Sequence, residues 1–347
     1  RDSLESVPGG LERFVPREDG RVVGLLLEDA VSWALSKVPR PEHNVLKSLV
    51  AEVVHEYLAH GVTCIHSMSV SVEELRLVHE LRREGLLELE YSAYVSREDL
   101  DFVPEDARHL VRGVKVFADG SFGARTAALR EPYADSGTYG TLLLSSEEVA
   151  TLAREAAARG LELAVHAIGD RALEEVLRGA RGAEQWVRVE HASLTPPDLL
   201  EAISEMRLRV SVQPHFVLSD TWIVDRLGER RARWVYAYRS LLSAGAQVMG
   251  SSDSPVEPLN PWLGIYAAVH RGAPEGLPIA RYTEPEKLTF GEALRIYAHE
   301  VRPRDYLVVL NADKVPQTRG DYAGVKAEIV FARGVAIRDP AGRLREK

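Results

Sequence analysis

An α/β barrel of the TIM-type (β/α)8 class is the fold this sequence predicts. Three observations lead there. Short apolar, β-branched runs alternate with helical patterns along most of the 347 residues. Four of those runs end in, or just before, a polar residue capable of chemistry. No linker, low-complexity tract or longer repeat interrupts the rhythm.

The candidate strands are residues 62–66, 87–95, 113–117, 161–166, 186–191, 208–213 and 247–250. Helical patterns fill the gaps between them. Residues 45–60 carry apolar positions at helical spacing and stop before Gly61, and 72–83 stop before Gly85. Residues 145–159 open on a serine and an acidic first turn and end at Gly160. Residues 171–179 and 197–206 supply the next two helices. Strands separated by single helices demand parallel crossovers, and a long series of such units favours a barrel over an open sheet. In a barrel the active site lies at the C-terminal ends of the strands.

The sequence uses seven lysines among 43 basic residues, and Lys115 is the single one between Lys47 and Lys287. It lies inside the apolar run Gly113-Val-Lys-Val-Phe117. A buried lysine can shed its proton and serve as nucleophile, base or modified ligand, whereas arginine stays charged. The plainer reading is a lysine snorkelling from a strand end to solvent. Its company favours chemistry. Leu161-Glu-Leu-Ala-Val165 runs into His166, Trp186-Val-Arg-Val-Glu190 into His191, and Ala246-Gln-Val-Met249 into Gly-Ser-Ser-Asp253. Neutral imidazole and carboxylate are ordinary ligands of zinc and related divalent ions. Each residue alone is unremarkable; four in the same register point to a site.

Composition narrows the function class. A net charge of −9 argues against nucleic acid or an anionic membrane as partner. No apolar stretch approaches the ~20 residues of a membrane span. Cys64 is the single cysteine, which rules out an internal disulfide and suits a cytoplasmic location. An enzyme acting on a small-molecule substrate is expected, and a homo-oligomer is compatible with the sequence. Two connections exceed simple turns: 118–144, with Asp119, Arg125 and Thr126, and 214–239, with His215, Asp220 and Trp222. Long loops on a catalytic face are commonly lids or substrate walls. His215 is a candidate for facing substrate, and His66 for lining the site or packing in the core. The arginines of 226–239 read as a solvated helix, given the acidic total.

Four segments carry a resemblance. They are Val114-Lys-Val-Phe-Ala-Asp-Gly-Ser-Phe-Gly-Ala-Arg-Thr-Ala127, Val165-His-Ala-Ile-Gly-Asp-Arg-Ala172, Val189-Glu-His-Ala192 and Gly250-Ser-Ser-Asp-Ser-Pro-Val256. Together with Gly61-Val-Thr-Cys-Ile-His66, Ser211-Val-Gln-Pro214 and Leu288-Thr-Phe-Gly-Glu-Ala293, they resemble the amidohydrolase superfamily. The branch they most resemble includes N-substituted formamide deformylases. The likeness implies a divalent metal, zinc above all, as one or two ions. It implies that Lys115 is the lysine often carboxylated to bridge two metals, that His166 and His191 are ligands on strands five and six, and that Asp253 is the strand-eight aspartate. That aspartate touches the metal and takes a proton from the attacking water. Asp119, Arg125, Thr126 and Arg171 are then candidates for contacting substrate or supporting the ligands.

One departure is plain. The family's first strand ends in a His-x-His pair of ligands, and no His-x-His occurs in this sequence. The strand at 62–66 corresponds to the family's second strand, so the first strand is expected to be missing from the chain. Residues 1–300 are expected to form the hydrolase barrel, incomplete at its N-terminus, and 301–347 the remnants of a small β-sandwich. Two explanations compete: a piece of a longer polypeptide, favoured by the start at Arg1 and by the exposed edges an open barrel would leave, or a degenerate barrel completed by another chain. The expected activity is hydrolysis of a C–N bond, amide or N-acyl, by metal-activated water. The alternatives are an inactive or truncated barrel that binds without turnover, its metal absent for want of the His-x-His pair, and a Schiff-base enzyme using Lys115.

Overall fold

The computed structural model describes residues 9–12, 15–22, 24–26, 29–39, 41–298 and 305–342. The chain forms two compact units, Arg1–Ser48 and Leu49–Lys347. In the first, strands β1 (Arg17–Glu18) and β2 (Arg21–Val22) pair antiparallel around Asp19-Gly20. Both turn residues have positive φ, 48° and 75°, as a two-residue type I′ turn requires. Helix α1 (Asp29–Leu35) follows, and α2 (His43–Ala59) runs across the division.

The second unit is built on seven parallel strands in strictly sequential order: β3 (Cys64–Val70), β4 (Glu90–Ser96), β5 (Val111–Phe117), β6 (Glu162–Ala167), β7 (Val187–His191), β8 (Arg209–Val212) and β9 (Gln247–Gly250). Helices α3 (Val72–Arg83), α4 (Ser146–Ala158), α5 (Asp170–Ala180) and α6 (Pro197–Met206) occupy crossovers between them. This is the TIM-like (β/α) barrel the sequence predicts, with seven strands among the described residues. The first strand lies later than expected, because the apolar run at 62–63 ends the turn from α2 and pairing with β4 continues to Val70.

Local chemistry fixes the helix starts. Ser71 with Glu74 and Ser145 with Glu148 form capping boxes on α3 and α4, each satisfying otherwise orphaned backbone donors. The main apolar core lies between sheet and helices: Val114, Val116, Val165, Val189 and Val210 pack with Leu152, Val176 and Ile203. Alternate side chains point into the barrel, and many of these are polar. Glu162 accepts from Tyr94 Oη (2.6 Å), Arg112 Nε (3.1 Å) and Arg209, and is held below the usual carboxylate range despite burial. Gly113 is required beside this plug, since a Cβ there would sit 2.6 Å from the Tyr94 ring.

Region 214–239 differs from the loop expected. It holds α7 (Phe216–Ser219), α8 (Ile223–Arg231) and the start of α9 (Tyr238–Ser243). Its arginines are not simply solvated: Arg231 is buried and donates to the carbonyls of Leu227, Glu131 and Pro132. After β9 come α10 (Pro261–His270), α11 (Pro278–Tyr282) and α12 (Phe290–Tyr297). Strand β10 (Tyr306–Leu310), helix α13 (Arg319–Ala323) and strands β11 (Ala327–Ala332) and β12 (Val335–Arg338) complete the described chain. The three strands form an antiparallel sheet in the order β10-β11-β12, the C-terminal strands expected of a small sandwich. The boundary expected at 300–301 lies outside the described residues. Among the described residues no helix is long and apolar enough to cross a membrane.

Candidate active site

Sheet register brings the candidate residues to one end. Phe117 pairs with His166, Ala167 with His191, and Val212 with Gly250, so β5, β6, β7 and β9 finish level with one another. Lys115, His166, His191 and Asp253 all line one cavity of about 1190 Å³. His191 and Asp253 adopt positive φ, 78° and 56°. Such backbone is uncommon outside glycine and gathers at functional sites, where the surrounding structure holds it.

Burial sets the charge states. Lys115 is pulled down to about 8 by desolvation, against the opposing pull of Glu190 and Asp253. Its amine is therefore partly neutral in ordinary buffers. Asp253 is pushed up to about 6 by desolvation, although Lys115 favours its charge. His191 is driven down to about 4 by burial and by Lys115, and His166 lies well below its usual range for the same reason, with His191 adding to it. Both imidazoles are neutral at pH 7.

Hydrogen bonds then assign the tautomers. His166 Nε2 lies 2.9 Å from the carbonyl oxygen of Gly120, an acceptor, so Nε2 carries the proton and Nδ1 the lone pair. His191 Nδ1 lies 2.6 Å from Gln213 Oε1, so there Nε2 holds the lone pair. The rings meet edge to face with centroids 4.5 Å apart.

This donor set suits a divalent metal. Ligating histidines typically give their other ring proton to a protein oxygen, and both do so here. His166 and His191 would hold the ion, and Lys115 and Asp253 line the same cavity. Among the described residues, however, no group of three or more His, Cys, Asp or Glu gathers to complete a site. The fit is that of half a ligand set.

The remaining candidates lie elsewhere. Asp119 is buried and accepts from the backbone N–H groups of Ala128 (2.9 Å), Ile168 (3.0 Å) and Gly169 (2.8 Å), tying the loop after β5 to the end of β6. Its Oδ1 is also 3.5 Å from His166 Nε2. Arg125 pairs with Asp135 at 2.8 Å, and Arg171 is exposed at the start of α5. His215 bonds Glu257 through Nδ1, and its buried Nε2 has no hydrogen-bond partner among the described residues. These four side chains do not line the cavity.

Several participants escaped the sequence reading. Glu190 and Arg188 form a buried ion pair next to Lys115. A signal existed, since Arg188 and Glu190 alternate with Val187 and Val189, the period of a strand with two different buried faces. The two long loops form a single wall. Arg226 donates to the carbonyls of Phe122 (2.6 Å) and Gly123 (2.7 Å) while its guanidinium covers the Trp222 ring at 4.4 Å. Phe122 and Trp222 thus reach the cavity from different loops on one support.

The Amidohydrolase family profile matches residues 5–301. The chain belongs to this family. It is 32% identical over 83% of its length to the putative amidohydrolase YtcJ of Bacillus subtilis, covering 59% of that protein. It is 25% identical over 96% of its length to the N-substituted formamide deformylase of Arthrobacter pascens, covering 68% of it. An uncharacterized metal-dependent hydrolase from Pyrococcus horikoshii superposes with a TM-score of 0.73 at 36% identity, over 83% of this chain and 61% of that one. The amidohydrolase chain described here thus spans about three fifths of YtcJ and of that solved structure.

Proposed function

We propose that this chain carries the hydrolytic centre of a metal-dependent enzyme cleaving a carbon–nitrogen bond, amide or N-acyl, in a small molecule. The observation that carries the reading is the pair of neutral imidazoles, each with one lone pair free, that share one cavity with Lys115 and Asp253. Family membership and the metal-dependent hydrolase likeness support it. Zinc is the ion this imidazole and carboxylate chemistry suits best. When bound, such an ion lowers the pKa of water towards ~7 and polarises a carbonyl.

The protein's own groups do the rest. His166 and His191 hold the centre, kept neutral by burial and oriented by Gly120 and Gln213. Lys115, partly neutral, is the amine suited to carboxylation and bridging. Asp253 takes a proton from the attacking water and passes it to the leaving nitrogen; a carboxylate near 6 can do both close to neutral pH. Phe122, Trp222 and Phe216 present aromatic surface to the substrate. Asp119 acts through His166, and His215 through Glu257, while Arg125 and Arg171 serve the surrounding loops. A cytoplasmic location fits the single cysteine.

The test is amine release from a panel of N-formyl and N-acyl amines, with Asp253→Asn as control. Release by wild type and not by the variant supports the proposal. Binding without turnover is the second reading, favoured by the incomplete ligand set among the described residues. Saturable ligand binding with no product from any panel member would establish it.

A further inference from the structure

Gln213 stands at the end of β8, between the strand that delivers His191 and the strand that leads to Asp253. Its side chain is buried, and every polar atom of it is engaged. Nε2 donates to the carbonyl of Ser211 at 3.2 Å and to Ser251 Oγ at 2.9 Å. Oε1 faces His191 Nδ1 at 2.6 Å.

The carbonyl of Ser211 settles which way the amide points. Rotating the amide by half a turn would set Oε1 against that carbonyl, acceptor on acceptor, and the NH2 group against His191. The observed orientation leaves His191 Nδ1 one role, that of donor. The backbone supports this. Tyr238 Oη donates to the Gln213 carbonyl at 3.1 Å, and Pro214 holds the preceding residue extended. Ser251, two residues before Asp253, also bonds back to β8 through its N–H to the Val212 carbonyl at 2.8 Å.

We infer that Gln213 is a positioning residue that holds His191 as the Nδ1–H tautomer, leaving Nε2 as its sole lone-pair nitrogen, and that it ties this choice to the loop carrying Asp253. The inference rests on the reading of His191 as a working imidazole. With the other tautomer the lone pair would point into Gln213, where nothing can use it. The neighbouring His166 is fixed oppositely by the Gly120 carbonyl, so the pair offers one Nδ1 and one Nε2.

The test is nitrogen NMR on the protein labelled with 15N-histidine, with His191 assigned by the signals lost in His191→Asn. Wild type should show a protonated Nδ1 and an unprotonated or metal-bound Nε2. Gln213→Glu, which still offers an oxygen, should retain this pattern. Gln213→Leu should lose it, with the proton moving to Nε2; should Gln213→Leu fail to fold, Gln213→Asn, too short to reach, is read instead. A protonated Nε2 in wild type overturns the inference. So does an unchanged Nδ1–H signal in a folded Leu or Asn variant. No substrate is needed, so a failure here leaves the proposed hydrolysis to be judged by turnover, and absent turnover leaves the tautomer standing.

Discussion

His166 and His191 meet edge to face 4.5 Å apart, and each gives one ring nitrogen to a protein oxygen. The relation follows from the register of adjacent parallel strands, in which His191 pairs with Ala167, one residue past His166. Parallel neighbours of equal height turn two unremarkable strand-end histidines into one adjacent pair. Burial keeps them neutral, and Lys115 reinforces this by making a second positive charge beside them costly.

Replacing Asp253 by Asn removes the proposed proton carrier without removing the imidazole pair. Turnover is expected to fall by about 10²–10⁴, the usual share of general acid–base catalysis, while metal content stays near wild type. Activity assays and elemental analysis on the same preparation check this. Full activity in the variant rules out the assignment of the base.

Asp119 satisfies three buried backbone donors, Ala128 in the loop after β5 and Ile168 and Gly169 just past β6. Asp119→Ala is expected to cost about 3 kcal/mol or more, since buried N–H groups are left unpaired. Urea denaturation gives the number. A loss within the ~0.5 kcal/mol of an ordinary surface change contradicts the role.

Arg226 joins the two long loops through two carbonyls, Asp135 and the face of Trp222. Arg226→Ala is expected to destabilise the protein by about 1–3 kcal/mol, and Arg226→Lys to recover little, because an ammonium lacks the planar fork. KM should rise more than kcat falls, as the wall carries Phe122 and Trp222. Equal stability of the lysine variant and wild type would show that charge alone suffices.

Asp220, bonded by Tyr236 Oη, is raised from 3.8 to about 6 by burial, with Glu257 adding to the rise. The folded state therefore binds this proton more tightly than the unfolded chain. Its contribution is complete below about pH 4 and is lost as pH rises towards 6, on the order of 2 kcal/mol. Asp220→Asn should remove that segment of the stability–pH curve. Parallel curves for the two proteins from pH 4 to 7 would contradict it.

Much of this was legible in the sequence because parallel barrels print their function at strand ends. Lys115 lies inside an apolar run, His166, His191 and Asp253 follow one, and the fold places all four on one cavity. Gln213 follows the same rule, yet an amide before a proline draws less attention than an imidazole. The loop wall was harder to see. Arg226 and Arg231 look like solvent-facing charges, but their partners are mostly carbonyls about a hundred residues away, and main-chain acceptors leave no trace in composition. Asp119 shows the same limit, since its satisfaction by backbone N–H groups depends on where β6 ends.

The most direct measurement is metal content per chain, by elemental mass spectrometry on protein purified without chelator or added metal, before and after His166→Asn and His191→Asn. The expected result is one or two equivalents of a divalent ion in wild type, lost or sharply reduced in both variants. Wild-type protein that carries none and takes up none on incubation with zinc would contradict a metal-dependent centre at this pair.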